Sequence, residues 1–148
     1  MARKRSKDST LDAVETSAII ILMMFLMFFV NAFMAGRLNA FGIFPRTFHG
    51  LAGILFSPLL HYNLAHLTAN TISLFLLLVF LYSHREYKAD HALLSIWLMS
   101  GIGTWIIGRP AIHIGASSLV YGLVVYLMVA AWWLRSWRSL IIAFVVMI

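Results

Sequence analysis

The sequence predicts an all-α polytopic membrane protein. Three observations carry that prediction. The chain is 62% hydrophobic and only 11% charged, with a mean hydropathy of +0.92, whereas a soluble domain carries about a quarter charged residues. Its apolar residues gather into runs of membrane length, separated by short polar turns. Its basic residues are shared unequally between alternate turns, as the positive-inside rule requires of a chain that crosses repeatedly.

The elements follow in order. Residues 1–15, "MARKRSKDSTLDAVE", are polar and basic and read as a disordered cytoplasmic arm. A secretory signal would have a short apolar core and a small-residue cleavage site, which this start lacks. Residues 16–35 form a retained first span, and 16–148 the membrane domain. The connection 36–60, "GRLNAFGIFPRTFHGLAGILFSPLL", is too polar early and too rich in Gly and Pro to cross. Its apolar second half suits a segment lying in the interface or dipping into it. A second span covers about Asn63 to Ser83, a third about His91 to Ile107 and a fourth about Gly115 to Leu134. The final run, "SLIIAFVVMI", begins a fifth. Ten helical residues rise only about 15 Å, half the hydrocarbon thickness. The expectation is therefore four complete spans plus the start of a fifth, incomplete at the C-terminus.

Eight of the eleven Lys and Arg residues fall in the arm and in the second and fourth turns (Arg3, Lys4, Arg5, Lys7, Arg85, Lys88, Arg135, Arg138). Arg37, Arg46 and Arg109 fall on the other side. The N-terminus is thus expected in the cytoplasm, with spans two and four both starting at the outer face. The net charge of +6 orients the chain in a lipid bilayer, and no nucleic-acid partner is expected. The chain has no cysteine, which excludes disulfides, thiol catalysis and Cys-ligated zinc. Trp132, Trp133 and Trp137 fall where an inner aromatic belt belongs.

The residues that could carry chemistry lie in "HYNLAHLTAN" (61–70) and "GASSLVYG" (115–122). Polar side chains at membrane depth are costly and usually have a task. His66 and Asn70 are four apart and share a helix face, with His61 at the helix mouth. Ser117 lies near the start of the fourth span, where free backbone N–H groups and the helix dipole favour negative charge. The topology brings both clusters to the same depth from the same side. A hydroxyl beside converging donors points to acyl transfer. A serine in a membrane helix more often bonds its own backbone, and paired histidines are often satisfied at the interface. The histidines lack a clear third partner for a metal, so none is expected. Gly115, Ser118 and Gly122 form a small-residue strip suited to close helix packing.

Together, "HYNLAHLTAN" and the "GASS" that follows some 45 residues later resemble the rhomboid intramembrane serine proteases. "GIFPRTFHGLAGILFSPLLH" and "HIGASSLVYGL" are similar to bacterial members, and the resemblance covers roughly residues 17–148. It implies a rhomboid-like helical bundle, in a bacterial inner membrane, cleaving single-span transmembrane protein substrates near the outer face without a cofactor. It puts Ser117 in the nucleophile position and His66 and Asn70, with Ser117, at the oxyanion. His61 becomes the accompanying histidine, Tyr121 an aromatic that stacks on the catalytic imidazole, and 36–60 the membrane-embedded first loop. Two departures stand out. Ser118 replaces the family's usual glycine after the nucleophile, and the family's general base, a histidine on a sixth span, would lie beyond residue 148. Residues 1–148 alone are expected to be inactive. The alternatives are a catalytically inactive relative that binds membrane helices, or a small proton or metal transporter subunit using His61 and His66.

Overall fold

The structure, a computed structural model, describes residues 2–134 and positions 137, 141 and 145. Within these residues the fold is helical: α1 (Ala2–Phe33), a one-turn α2 (Gly53–Phe56), α3 (Leu64–Ser83), α4 (Ala89–Ile107) and α5 (Ser117–Leu134), joined by turns that include short 3₁₀ segments. Two stretches, Thr10–Phe33 and Leu64–Ser83, are long and apolar enough to cross a membrane. The 19 residues of α4 and 18 of α5 rise about 27–29 Å. The fifth span expected from Ser139 lies largely outside the described residues.

The arm expected to be disordered is helical, since α1 begins at Ala2. No Gly or Pro interrupts residues 2–35, and Ala, Lys, Arg, Leu and Glu are good helix formers whatever their polarity. Low hydropathy removed the segment from the membrane but not from the helix. The helix stops where Ala35 and Gly36 take positive φ, +54° and +78°. The buried Asn31 then ties the exit down: its amide donates to Asn39 Oδ1 (2.8 Å) and its Oδ1 accepts from the Leu38 N–H (2.9 Å).

Helix α3 is the centre of the bundle. It packs on α1 along one side and on α5 along another, and α5 packs in turn on α4. Leu67, Leu74, Leu77, Leu78 and Leu81 of α3 and Leu119, Leu123 and Leu127 of α5 are all buried. These recur at helical spacing, so one stripe of each helix meets the other. Burial against lipid-like side chains gives little solvent-driven stabilisation in a bilayer, so close fit must hold the helices together. Small residues supply that fit. Gly122 presses on Ile96 of α4, and a Cβ at Gly101 of α4 would lie 2.7 Å from Ile54 Cγ2 of α2.

The connection 37–63 is fastened to α4 rather than left as a free surface loop. Arg46, at φ +58°, uses one guanidinium nitrogen to donate to the carbonyls of Ile106 and Gly108 (2.9 Å each). These are open carbonyls at the C-terminal end of α4, where a cation is favoured. The indoles of Trp105 and Trp97 donate back to the carbonyls of Thr47 (2.8 Å) and Ile54 (3.0 Å). Irregular backbone at membrane depth needs such partners. The same connection reaches the start of α5. Ile43 and His113 exchange two backbone hydrogen bonds (2.9 and 2.8 Å), and the Gly115 N–H donates to the Ser57 carbonyl (2.8 Å).

Candidate active site

Two helix N-termini meet at the end of the bundle covered by this connection. At α3, Asn63 is the N-cap, and its side chain accepts the His66 N–H at 2.8 Å. That bond satisfies one open amide of the first turn and sets where His66 leaves the helix. One turn later the Asn70 amide donates to the His66 carbonyl (3.0 Å), leaving its second amide hydrogen for another acceptor. Asn70 is buried and His66 half-buried.

At α5 the chain turns sharply through Gly115, at φ +109°, a backbone conformation that side-chain-bearing residues rarely adopt. Space imposes the same demand. A Cβ on Gly115 would stand 2.5 Å from His66 Cε1, 2.6 Å from His66 Nε2 and 3.5 Å from Asn70 Nδ2. The polar edge of His66 and the Asn70 amide therefore lie directly over the Gly115 backbone. Ser117 follows two residues later as the first residue of α5 and is exposed. The Val120 N–H bonds the Ala116 carbonyl at 2.9 Å, so the amides of Ser117, Ser118 and Leu119 precede the intrahelical ladder. Donors from α3 thus lie over Gly115, two residues before Ser117, and the open amides of Ser117, Ser118 and Leu119 begin α5.

His61 stands in the connection just ahead of α3, 1% exposed. Its ring meets that of His66 edge-on, with centroids 5.1 Å apart. Among the described residues neither of its nitrogens makes a hydrogen bond of good geometry. Burial holds its pKa down, to about 4, helped by the neighbouring His66 and opposed by the Leu59 carbonyl. His61 therefore packs against His66 as a neutral ring.

Beside Ser117, on the side facing α4, lies a cavity of about 240 Å³ lined by Ser57, Thr104, His113, Ser117, Ser118 and Tyr121, among others. It adjoins a groove of about 700 Å³ between α4 and α5, with which it shares Thr104, His113, Ser118 and Tyr121. Tyr121 is 66% exposed, one turn along from Ser117. Among the described residues no three His, Cys, Asp or Glu side chains gather in a group that could hold a metal.

Residues 48–148 match the Rhomboid domain. The chain belongs to the Rhomboid family. Uncharacterized proteins of Mycobacterium tuberculosis and Mycobacterium bovis are each 34% identical to it over 138 residues, which is 89% of this chain and 58% of theirs. An uncharacterized protein of Mycobacterium leprae is 38% identical over 93 residues, covering 57% of this chain and 36% of its own. This Rhomboid chain thus spans little more than half the length of the M. tuberculosis and M. bovis relatives and about a third of the M. leprae one. No solved structure matches it.

Within this Rhomboid chain, the site residues named from sequence divide into two groups. His66 joins the first group: it meets the His61 ring, its carbonyl accepts from Asn70, and it lies with Asn70 over Gly115, two residues before Ser117. Ser117, Ser118 and Tyr121 form the second, lining one cavity with Thr104 of α4. Ser118 meets open cavity there, so its hydroxymethyl group is accommodated. Sequence reading overlooked Thr104 and Ser57, which line the cavity from α4 and from the first connection. Neither carries a local signal, because each reaches the site through tertiary packing.

Proposed function

We propose that this chain carries the nucleophile and oxyanion wall of an intramembrane serine endopeptidase. Ser117 Oγ attacks the scissile carbonyl, and His66, the Asn70 amide and the first amides of α5 hold the oxygen that becomes negative. Gly115 permits the close approach of the two walls, and His61 supports His66 from behind. The helices α1, α3, α4 and α5 are read as four spans, with 1–15 in the cytoplasm and the site near the outer face of a bacterial inner membrane. The substrates are single-span membrane proteins. The general base is assigned to a histidine of the full-length protein beyond residue 148, because a serine hydroxyl needs a positioned acceptor for its proton. Tyr121 offers the aromatic face against which that imidazole stacks.

The observation that carries this reading is the overlap a Cβ at Gly115 would make with His66, beside the Asn70 amide. A strip needed only for helix packing would meet apolar atoms, as Gly122 does against Ile96. Here the glycine instead brings two polar donors onto the segment that leads into the serine. The test is cleavage of a single-span substrate by the full-length protein in liposomes. The reading expects cleavage near the outer face, abolished by Ser117→Ala. Undiminished cleavage by Ser117→Ala would overturn it.

A further inference from the structure

Where α1 ends, its last turns and the connection form a pocket of about 200 Å³, lined by Met27, Leu38, Phe41, Phe56 and Leu60. All five side chains are apolar. Leu60 is buried, so it lies at the back, while Phe41 and Phe56 are about half exposed, their rings edge to face at 6.4 Å. The walls are held by bonds outside the pocket. Asn31 fixes the backbone of Leu38 and the side chain of Asn39, the Trp97 indole holds the Ile54 carbonyl of α2, and the His49 ring packs on Phe41. Water finds no partner in such a pocket, and an apolar cavity of roughly 150 Å³ stays dry yet takes up a six-carbon ring. Met27 lies six residues before the end of α1 at Phe33, about 9 Å deeper. The pocket therefore runs from the helix exit into the depth of the acyl chains. Charge is one-sided at this end of the bundle. The Asp and Glu residues of the chain are Asp8, Asp12, Glu15, Glu86 and Asp90, all at the opposite end, in the first half of α1 and around the turn between α3 and α4. Arg46 is already committed to the carbonyls of Ile106 and Gly108. Arg37, next to Leu38 of the pocket wall, is exposed, and no carboxylate of residues 1–148 lies at its end to pair with it.

We propose that this pocket binds one acyl chain of an anionic phospholipid from the leaflet at the active-site end, with the lipid phosphate on the Arg37 guanidinium. The chain end fills the apolar void, and the headgroup supplies the anion that this end of the bundle lacks. A guanidinium meets a phosphate through paired, charge-assisted hydrogen bonds. The walls are already fixed, so little ordering of the protein opposes binding. A transmembrane polypeptide is the rival occupant, but a helix about 10 Å across is too wide for the pocket and could offer it only one side chain. The inference rests on the reading of α1 as a span and is independent of the role of Ser117.

The experiment places the full-length protein in phosphatidylcholine liposomes that carry a trace of phosphatidylglycerol or of phosphatidylcholine with a photoactivatable diazirine on one acyl chain. After illumination the adducts are located by peptide mass spectrometry. Leu22 and Leu26, exposed on α1, report ordinary lipid contact and should label equally from the two probes. Met27, Phe41 and Phe56 should label more from phosphatidylglycerol, by about fivefold, the weight of one basic residue near an anionic headgroup. Arg37→Gln, an exposed change, should remove that preference. Leu38→Trp, which fills the pocket, should remove the adducts at Met27 and Phe56 from both probes and leave those at Leu22. If Leu38→Trp does not fold, the loss of preference in Arg37→Gln decides alone. Equal labelling of the pocket by the two probes, or a preference that survives Arg37→Gln, would overturn the proposal. So would loss of the pocket adducts on adding a single-span peptide, because that marks a polypeptide site. If Leu22 and Leu26 take no label either, α1 does not lie in lipid; the spanning reading has then failed, and the inference falls with it.

Discussion

Replacing Gly115 by alanine adds one methyl group at the point where the two walls touch. The added carbon would sit 2.5 Å from His66 Cε1 and 2.6 Å from Nε2, against about 3.5–4.0 Å for carbon atoms in good contact. His66 must retreat by roughly 1 Å, and a displacement of that size from a reacting group costs on the order of 10² in rate. Complete loss of one oxyanion donor costs about 10²–10³. A second penalty cannot be relieved by moving His66. Gly115 has φ +109°, and a side-chain-bearing residue held in such a region costs of order 1–3 kcal/mol. Gly115→Ala in the full-length protein should therefore lower both the melting temperature and the rate of substrate cleavage, the latter by at least about 10²-fold. Gly122→Ala is the matched control. Its new methyl group would overlap the Ile96 Cγ2 methyl at 2.4 Å, in a helix and away from His66, so it should lower the melting temperature with little change in turnover. The assay is initial cleavage rate in liposomes at matched folded protein, with thermal melts in parallel. A Gly115→Ala protein that cleaves within twofold of the parent would refute the argument that His66 acts at this contact.

Three further outcomes are expected. Asn70→Ala should reduce turnover by about 10²–10³ with folding nearly intact; a large drop in melting temperature at parental turnover would instead make Asn70 a packing residue. The lowered His61 pKa, about 4 against about 6.5 for a free imidazole, means that the unfolded chain binds more protons between those values. The His61 contribution to stability is full above about pH 6.5 and is lost as pH falls toward 4, so the melting temperature of the parent should drop more over that window than that of His61→Phe; equal drops would show that His61 is not held neutral. The chain has no cysteine, so single cysteines report topology: an impermeant thiol reagent added to intact cells should label a cysteine at Phe48, 92% exposed, and spare one at Glu86. Labelling of Glu86→Cys alone would reverse the orientation.

The helices from α3 onward were legible because each apolar run is bounded by residues with a local job. Asn63 caps α3, and Gly108 follows the last residue of α4. The facing of His66 and Asn70 followed from their four-residue spacing, and the meeting of the two clusters from the alternation of spans and basic turns. The N-terminal arm was misread because polarity was used as a sign of disorder, whereas helix formation depends on propensity and on the lack of Gly and Pro through residue 35. The fastening of the connection to α4 was illegible for a different reason. Arg46 reaches carbonyls about 60 positions away, and the indoles of Trp97 and Trp105 reach carbonyls 43 and 58 positions away. Such contacts leave no periodic trace. The same holds for Thr104, an ordinary helix residue until packing sets it beside Ser117.

The central claim is that Ser117 is the nucleophile, and a covalent probe tests it most directly. The full-length protein in liposomes is treated with a fluorophosphonate, which bonds an activated serine oxygen through phosphorus, and the adduct is located by peptide mass spectrometry. The account predicts one adduct, on Ser117, absent in Ser117→Ala and formed more slowly in Gly115→Ala. No adduct on a protein that nevertheless cleaves its substrate, or an adduct on neighbouring Ser118, would contradict it.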